Sequence, residues 1–89
     1  MKLKLTGEIW QEGNMYVAYC PELDISSCGK SVEEARKNLI EAIKINIEET
    51  KKMGTFEQFM KEAGFDLNEG EVISLRKKLV AFEQLAVNI

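Results

Sequence analysis

The stretch Tyr16–Ala35, YVAYCPELDISSCGKSVEEA, constrains the fold more than any other part of the chain. A β-rich run ends at Pro21, which has no N–H to give a sheet ladder. A corner, Glu22 to Asp24, leads into a short second run from Ile25 to Cys28. Beyond Gly29, Ser31 to Glu34 matches a capping box, in which the serine oxygen accepts from the amide three residues on. Strand, corner, strand and helix start follow one another within twenty residues, and no catalytic motif interrupts them.

The flanks extend this unit. Residues 2–11 alternate, with Leu3, Leu5 and Ile9 on one face and Lys2, Lys4, Thr6 and Glu8 on the other. That is the period of a half-buried antiparallel strand. Trp10 falls on the polar face and is expected to cover the outer side of the sheet. Glu12-Gly13-Asn14 has turn chemistry, so this strand and Met15–Cys20 should form a hairpin. Downstream, Val32, Ala35, Leu39, Ala42, Ile43 and Ile47 make a helical apolar stripe. Ile40 and Ile45 lie off its centre and hint at a contact between subunits. Glu33 and Lys37 are spaced as an i,i+4 ion pair. Gly54 is a natural helix stop.

Thr55 and Gln58 repeat the capping logic for a short second helix carrying Phe56, Phe59, Met60 and Ala63, stopped by Gly64. Asn68-Glu69-Gly70 reads as a loop. At the C-terminal end two periods compete. Val72, Leu75, Leu79, Phe82, Ala86 and Ile89 fit a helix, whereas Leu85, Val87 and Ile89 alternate with Gln84, Ala86 and Asn88 as in a strand. We favour a strand over residues 79–88, because a three-stranded sheet gains from a further strand. The expected architecture is α+β, one domain over residues 1–89: a three-stranded antiparallel meander, a long packing helix, a short second helix and a C-terminal strand.

Composition narrows the chemistry. The chain has no histidine, so it lacks the usual neutral-pH base and the commonest metal ligand. Cys20 and Cys28 cannot complete a tetrahedral zinc site within one chain, and neither has the histidine that would activate a thiol. No cofactor or metal site is expected. Fifteen acidic and twelve basic residues give a net charge of −3, which disfavours direct nucleic-acid binding and suits a basic protein partner. Arg76, Lys77 and Lys78 would form a basic patch only if the C-terminal segment were helical. The absence of an apolar leader or long apolar run leads us to expect a cytoplasmic protein with reduced thiols and no membrane span. Trp10, Tyr16 and Tyr19 are candidates for an aromatic patch on the first hairpin. Glu22 and Asp24 form a candidate carboxylate pair in the corner.

The run Gly13-Asn14-Met15-Tyr16-Val17-Ala18-Tyr19-Cys20-Pro21-Glu22-Leu23, followed by Gly29-Lys30-Ser31 and Glu33-Glu34-Ala35, resembles the HicB-like antitoxin family. The likeness covers about residues 3–50. It implies a partial ribonuclease-H-like fold and a role as a binding protein, not an enzyme. Its partner would be a HicA-like toxin, a small basic ribonuclease that cleaves messenger RNA and is neutralised by having its active surface covered. The residues expected to meet such a partner are Tyr19, Glu22 and Asp24, in a homo-oligomer. Residues 55–89 are too few for the DNA-binding tail that full-length HicB proteins carry, so autorepression is not expected. The alternatives are a stand-alone oligomeric HicB-like protein of other function and a nucleic-acid-binding regulator.

Overall fold

In the computed structural model, residues 2–65, 71–72 and 80–89 are described. The elements are β1 (Lys2–Leu3), β2 (Glu8–Glu12), β3 (Met15–Cys20), β4 (Ile25–Gly29), α1 (Val32–Lys52), α2 (Phe56–Glu62) and β5 (Glu71–Val72). Strands β2, β3 and β4 form the expected antiparallel meander, in that order. The protein is thus α+β, with a long and a short helix beside a three-stranded sheet.

The meander is built by local backbone chemistry. Glu12 pairs with Met15, which leaves Gly13-Asn14 as a two-residue loop. Gly13 has φ +61°, and glycine at the first loop position is the mark of the II′ hairpin turn. At the second corner Cys20 pairs with Ile25, and Asp24 adopts φ +55°, a region that aspartate tolerates better than most residues. Leu23, between them, turns inward and is buried.

The register sorts side chains onto two faces. Glu8, Tyr19 and Ser26 are cross-strand neighbours, as are Ile9, Ala18 and Ser27, and Trp10, Val17 and Cys28. Ala18 and Cys20, both fully buried, mark the face that α1 covers. Period two therefore puts Trp10, Met15, Val17, Tyr19 and Cys28 on the outer face. The helix lies across β4 and β3 and only touches β2.

Gly29 is buried where the first turn of α1 crosses β4: a Cβ there would lie 2.6 Å from the Ala35 amide nitrogen. Ser31 caps the helix as expected, its Oγ accepting from the Glu34 amide at 3.0 Å. Asn38 Nδ2 donates to the Cys28 carbonyl at 2.9 Å and fastens α1 to the sheet edge. Ala35 and Leu39 enter the core, and Ile43 packs against it. Glu33 and Lys37 do not pair among the described residues. The ion pair found on α1 is Glu49–Lys52 at 3.9 Å, exposed on both sides and worth little.

Both helices end in the same motif. The Thr55 amide donates to the Thr50 carbonyl and Gly54 to Lys51; Phe65 donates to Met60 and Gly64 to Lys61. These are paired Schellman bonds, with Gly54 at φ +73° and Gly64 at φ +87°. The chain then swings α2 onto the core. Met60 is fully buried, Phe65 nearly so, and Phe56 and Phe59 pack beside them. Lys51 sits 5.0 Å from the Phe56 ring centroid.

Four expectations need correction. The N-terminal strand is not continuous: β1 and β2 are separated at residues 4–7, because β2 pairs with β3 while β1 pairs in parallel with β5. Thr55 precedes α2 but its side chain makes no cap bond, its φ of −111° and ψ of 11° lying outside the extended geometry of an N-cap. Its Oγ1 instead donates to the Thr50 carbonyl. Tyr16 does not join Trp10 and Tyr19; it lies on the helix-covered face against the core. Of the strand expected over 79–88, residue 79 lies outside the described residues, and residues 80–89 form no strand and are exposed throughout; among the described residues they have no ladder partner. The loop at 68–70 and the Arg76–Lys78 patch lie outside the described residues.

Candidate protein-binding face

Two aromatic side chains anchor the outer face of the sheet, and each holds a carboxylate. The Tyr19 hydroxyl donates to Asp24 Oδ1 at 2.8 Å. The Trp10 indole N–H donates to Glu8 Oε1 at 3.2 Å. Glu8 stands directly across the ladder from Tyr19, so both pairs belong to one patch. The hydrogen bond to Asp24 raises the Tyr19 phenol above its ordinary value, and the negative charges of Asp24 and Glu8 push in the same direction. Met15 and Val17 fill the remainder, Trp10 staying 47% exposed. None of the three meander strands contributes a lysine or arginine.

Glu22 and Asp24 do not act as a pair. The left-handed turn at Asp24 sends its carboxylate to Tyr19, whereas Glu22 is claimed by the link between β1 and β2. The Thr6 amide donates to both Glu22 oxygens, at 3.0 and 3.1 Å, and the Thr6 hydroxyl donates to Oε2 at 2.7 Å. The Cys20 thiol lies 3.5 Å from Oε1. Glu22 is therefore a clasp that fixes the corner to the N-terminal segment. Burial alone would raise its pKa, but the bonds from the Thr6 hydroxyl and amide outweigh it and leave the carboxyl below its ordinary value. Burial pushes the Cys20 thiol up to about 11, so it stays protonated at neutral pH and is a poor nucleophile.

The clasp has a pH signature. A carboxyl whose pKa is lowered by folding stabilises the fold above its unfolded value, near 4.3, and loses that contribution as pH falls through the folded value. Glu22→Gln should cost about 1–2 kcal/mol at neutral pH, with the gap to the parent narrowing below about pH 4. Urea titrations across pH check this; a gap that does not change with pH would rule out the charged clasp.

Among the described residues no three Cys, Asp or Glu side chains come close enough to hold a metal ion. Among the same residues no helix is long and apolar enough to cross a membrane. A second surface lies on α1, where Glu33, Arg36, Lys37, Glu41 and Lys44 surround Ile40 in a shallow groove. Its alternating charges select no single ligand chemistry.

The chain matches no family model, no curated protein and no solved structure. The functional reading therefore rests on the face itself. Of the residues expected to meet a partner, Tyr19 and Asp24 are brought together on the outer face and Glu22 is turned away from them. Trp10 and Glu8 complete the patch. Their participation was open to a stricter use of parity: residues 8, 10, 17 and 19 share one side of a hairpin whose two-residue turn is set at Gly13.

Proposed function

We propose that the chain is a HicB-like, antitoxin-type binding protein. It neutralises a small basic HicA-type ribonuclease by laying the outer face of its sheet over the toxin's active surface, in the cytoplasm and without catalysis of its own. The observation that carries this reading is the paired arrangement Trp10–Glu8 and Tyr19–Asp24 on a face whose strands supply no cation. Aromatic side chains anchor protein interfaces at low entropic cost. Carboxylates beside them attract the lysines and arginines with which a ribonuclease binds RNA, and speed the encounter. The resemblance of residues 3–50 to HicB-like proteins supports the same partner class.

The test is co-purification with a HicA-type ribonuclease and protection of an RNA substrate. Tyr19→Ala should weaken inhibition by about thirtyfold or more, as expected for an interface anchor. Asp24→Asn keeps a residue that tolerates the left-handed turn and removes the charge; it should slow association, most strongly at low salt. If no such ribonuclease is inhibited, or Tyr19→Ala inhibits as well as the parent, the reading fails.

A further inference from the structure

We infer that residues 80–89 act as a reversible strap that closes on the Trp10 end of the outer face, so that a partner engaging this face must first displace it. The displacement rests on the reading of the outer face as the binding face; the strap itself does not.

One contact defines the closed form. The Phe82 ring meets the Trp10 ring edge-on, with centroids 5.4 Å apart and planes at 70°, an arrangement favoured by the attraction between the positive edge of one ring and the negative face of the other. Trp10 belongs to β2 and shares its side of the sheet with Tyr19. Its indole N–H is already committed to Glu8. Phe82 therefore rests on the side chain that anchors one half of the patch, and the ring it covers is one that a partner would need to bury.

The hold is confined to that ring pair. Phe82 stays 68% exposed, while Leu85 and Val87 are 78% and 77% exposed. Residues 80–89 have no ladder partner among the described residues. Period two explains why the segment seats no further. Phe82 is in phase with Gln84, Ala86 and Asn88, whereas Leu85, Val87 and Ile89 are out of phase with it. An extended chain that turns Phe82 toward Trp10 turns the large apolar side chains beyond it away from the same surface.

A single aromatic pair of this kind shifts an equilibrium by roughly twofold to tenfold. That is enough to keep the strap closed for most of the time and too little to lock it. The affinity of a partner for the whole face falls in proportion to the fraction of chains that are open. The strap therefore tunes the strength of binding, and lifting Phe82 from Trp10 raises it.

Acrylamide quenching of Trp10, the one tryptophan of the chain, tests the strap without a partner. Phe82→Ala and a chain ending at Ala81 should both raise the quenching constant and shift the emission to the red. Phe82→Tyr keeps the ring and should match the parent. Phe82 is exposed, so all these variants should melt like the parent. The contact lies within one chain, so the parent's quenching should not change with protein concentration. Inhibition of a HicA-type ribonuclease reads the displacement: Phe82→Ala should inhibit about threefold to tenfold more tightly than the parent, and Phe82→Tyr equally with it. Quenching of Phe82→Ala equal to the parent's, or shielding that fades on dilution, would overturn the strap. Unequal quenching with equal inhibition would overturn the displacement. If neither chain inhibits any such ribonuclease, the ribonuclease reading fails and the quenching result still decides the strap.

Discussion

Gly29→Ala should destabilise the fold by about 3 kcal/mol, and Gly29→Val by more, because the site has no room for any Cβ. The new atom would stand 2.6 Å from the Ala35 nitrogen and 2.9 Å from the Glu34 carbonyl carbon. Neither is the tip of a flexible side chain. Both belong to the first turn of α1, held by the bond from the Ala35 amide to the Ser31 carbonyl and by the Ser31 cap, each at 3.0 Å. The helix start must lift from β4, which strains the Asn38 bond to the Cys28 carbonyl. In a domain of this size each kcal/mol moves the melting temperature by about 4–8 °C, so a fall of well over 10 °C is expected by circular dichroism. Gly7→Ala is the control, since nothing lies within 4 Å of its added methyl. Equal stability of Gly29→Ala and the parent would show that α1 does not approach β4 as closely as described.

The second large effect is expected at Met60. Its side chain is fully buried and brings α2 onto the core that Ala18, Cys20, Ala35 and Leu39 form. Met60→Ala removes that plug and should cost about 3 kcal/mol through lost burial and the cavity left behind. Met60→Leu, close in volume, should cost less than about 1.5 kcal/mol. Urea unfolding followed by Trp10 fluorescence gives both numbers. A loss below about 0.5 kcal/mol for Met60→Ala would mean that α2 contributes little to the core. Because the whole stability of a small domain is only several kcal/mol, either core change should also lower the amount of folded protein recovered from cells.

The meander and α1 were legible in the sequence because their signals are local. A glycine at a two-residue turn, a proline after a strand, a serine three residues before a glutamate and a glycine after two lysines each act through their own backbone. What escaped was decided by partners. Leu3, Leu5 and Ile9 keep their alternation through Gly7, so nothing in the pattern announces that Lys2 and Leu3 pair with β5 and residues 8–12 with β3. Leu85, Val87 and Ile89 carry the alternation of a strand, but alternation states a preference for a pleated, half-covered setting without supplying the neighbour. The separation of Glu22 from Asp24 depended on one left-handed residue and on Thr6, sixteen positions away. By contrast, the opposite facing of Tyr16 and Tyr19 follows from simple odd-even counting, and the three-aromatic patch overlooked it.

The pairing of β1 with β5 carries a kinetic consequence. It joins Lys2 to Glu71 and Leu3 to Val72, closing the longest loop of the fold with strands of two residues. The hairpin turn at Gly13 closes a loop of a few residues, so the β1–β5 closure costs roughly 2–3 kcal/mol more in chain entropy. Its reward is two ladder positions. The meander and α1, whose contacts are between sequence neighbours, should form early and quickly. The parallel pair should close last and open first, as a local event that leaves the sheet standing. Amides of Leu3 and Val72 would then exchange with solvent well before those of Ala18 and Leu39. The outer face of the sheet would persist through each such opening, held by the Tyr19–Asp24 bond and the hairpin.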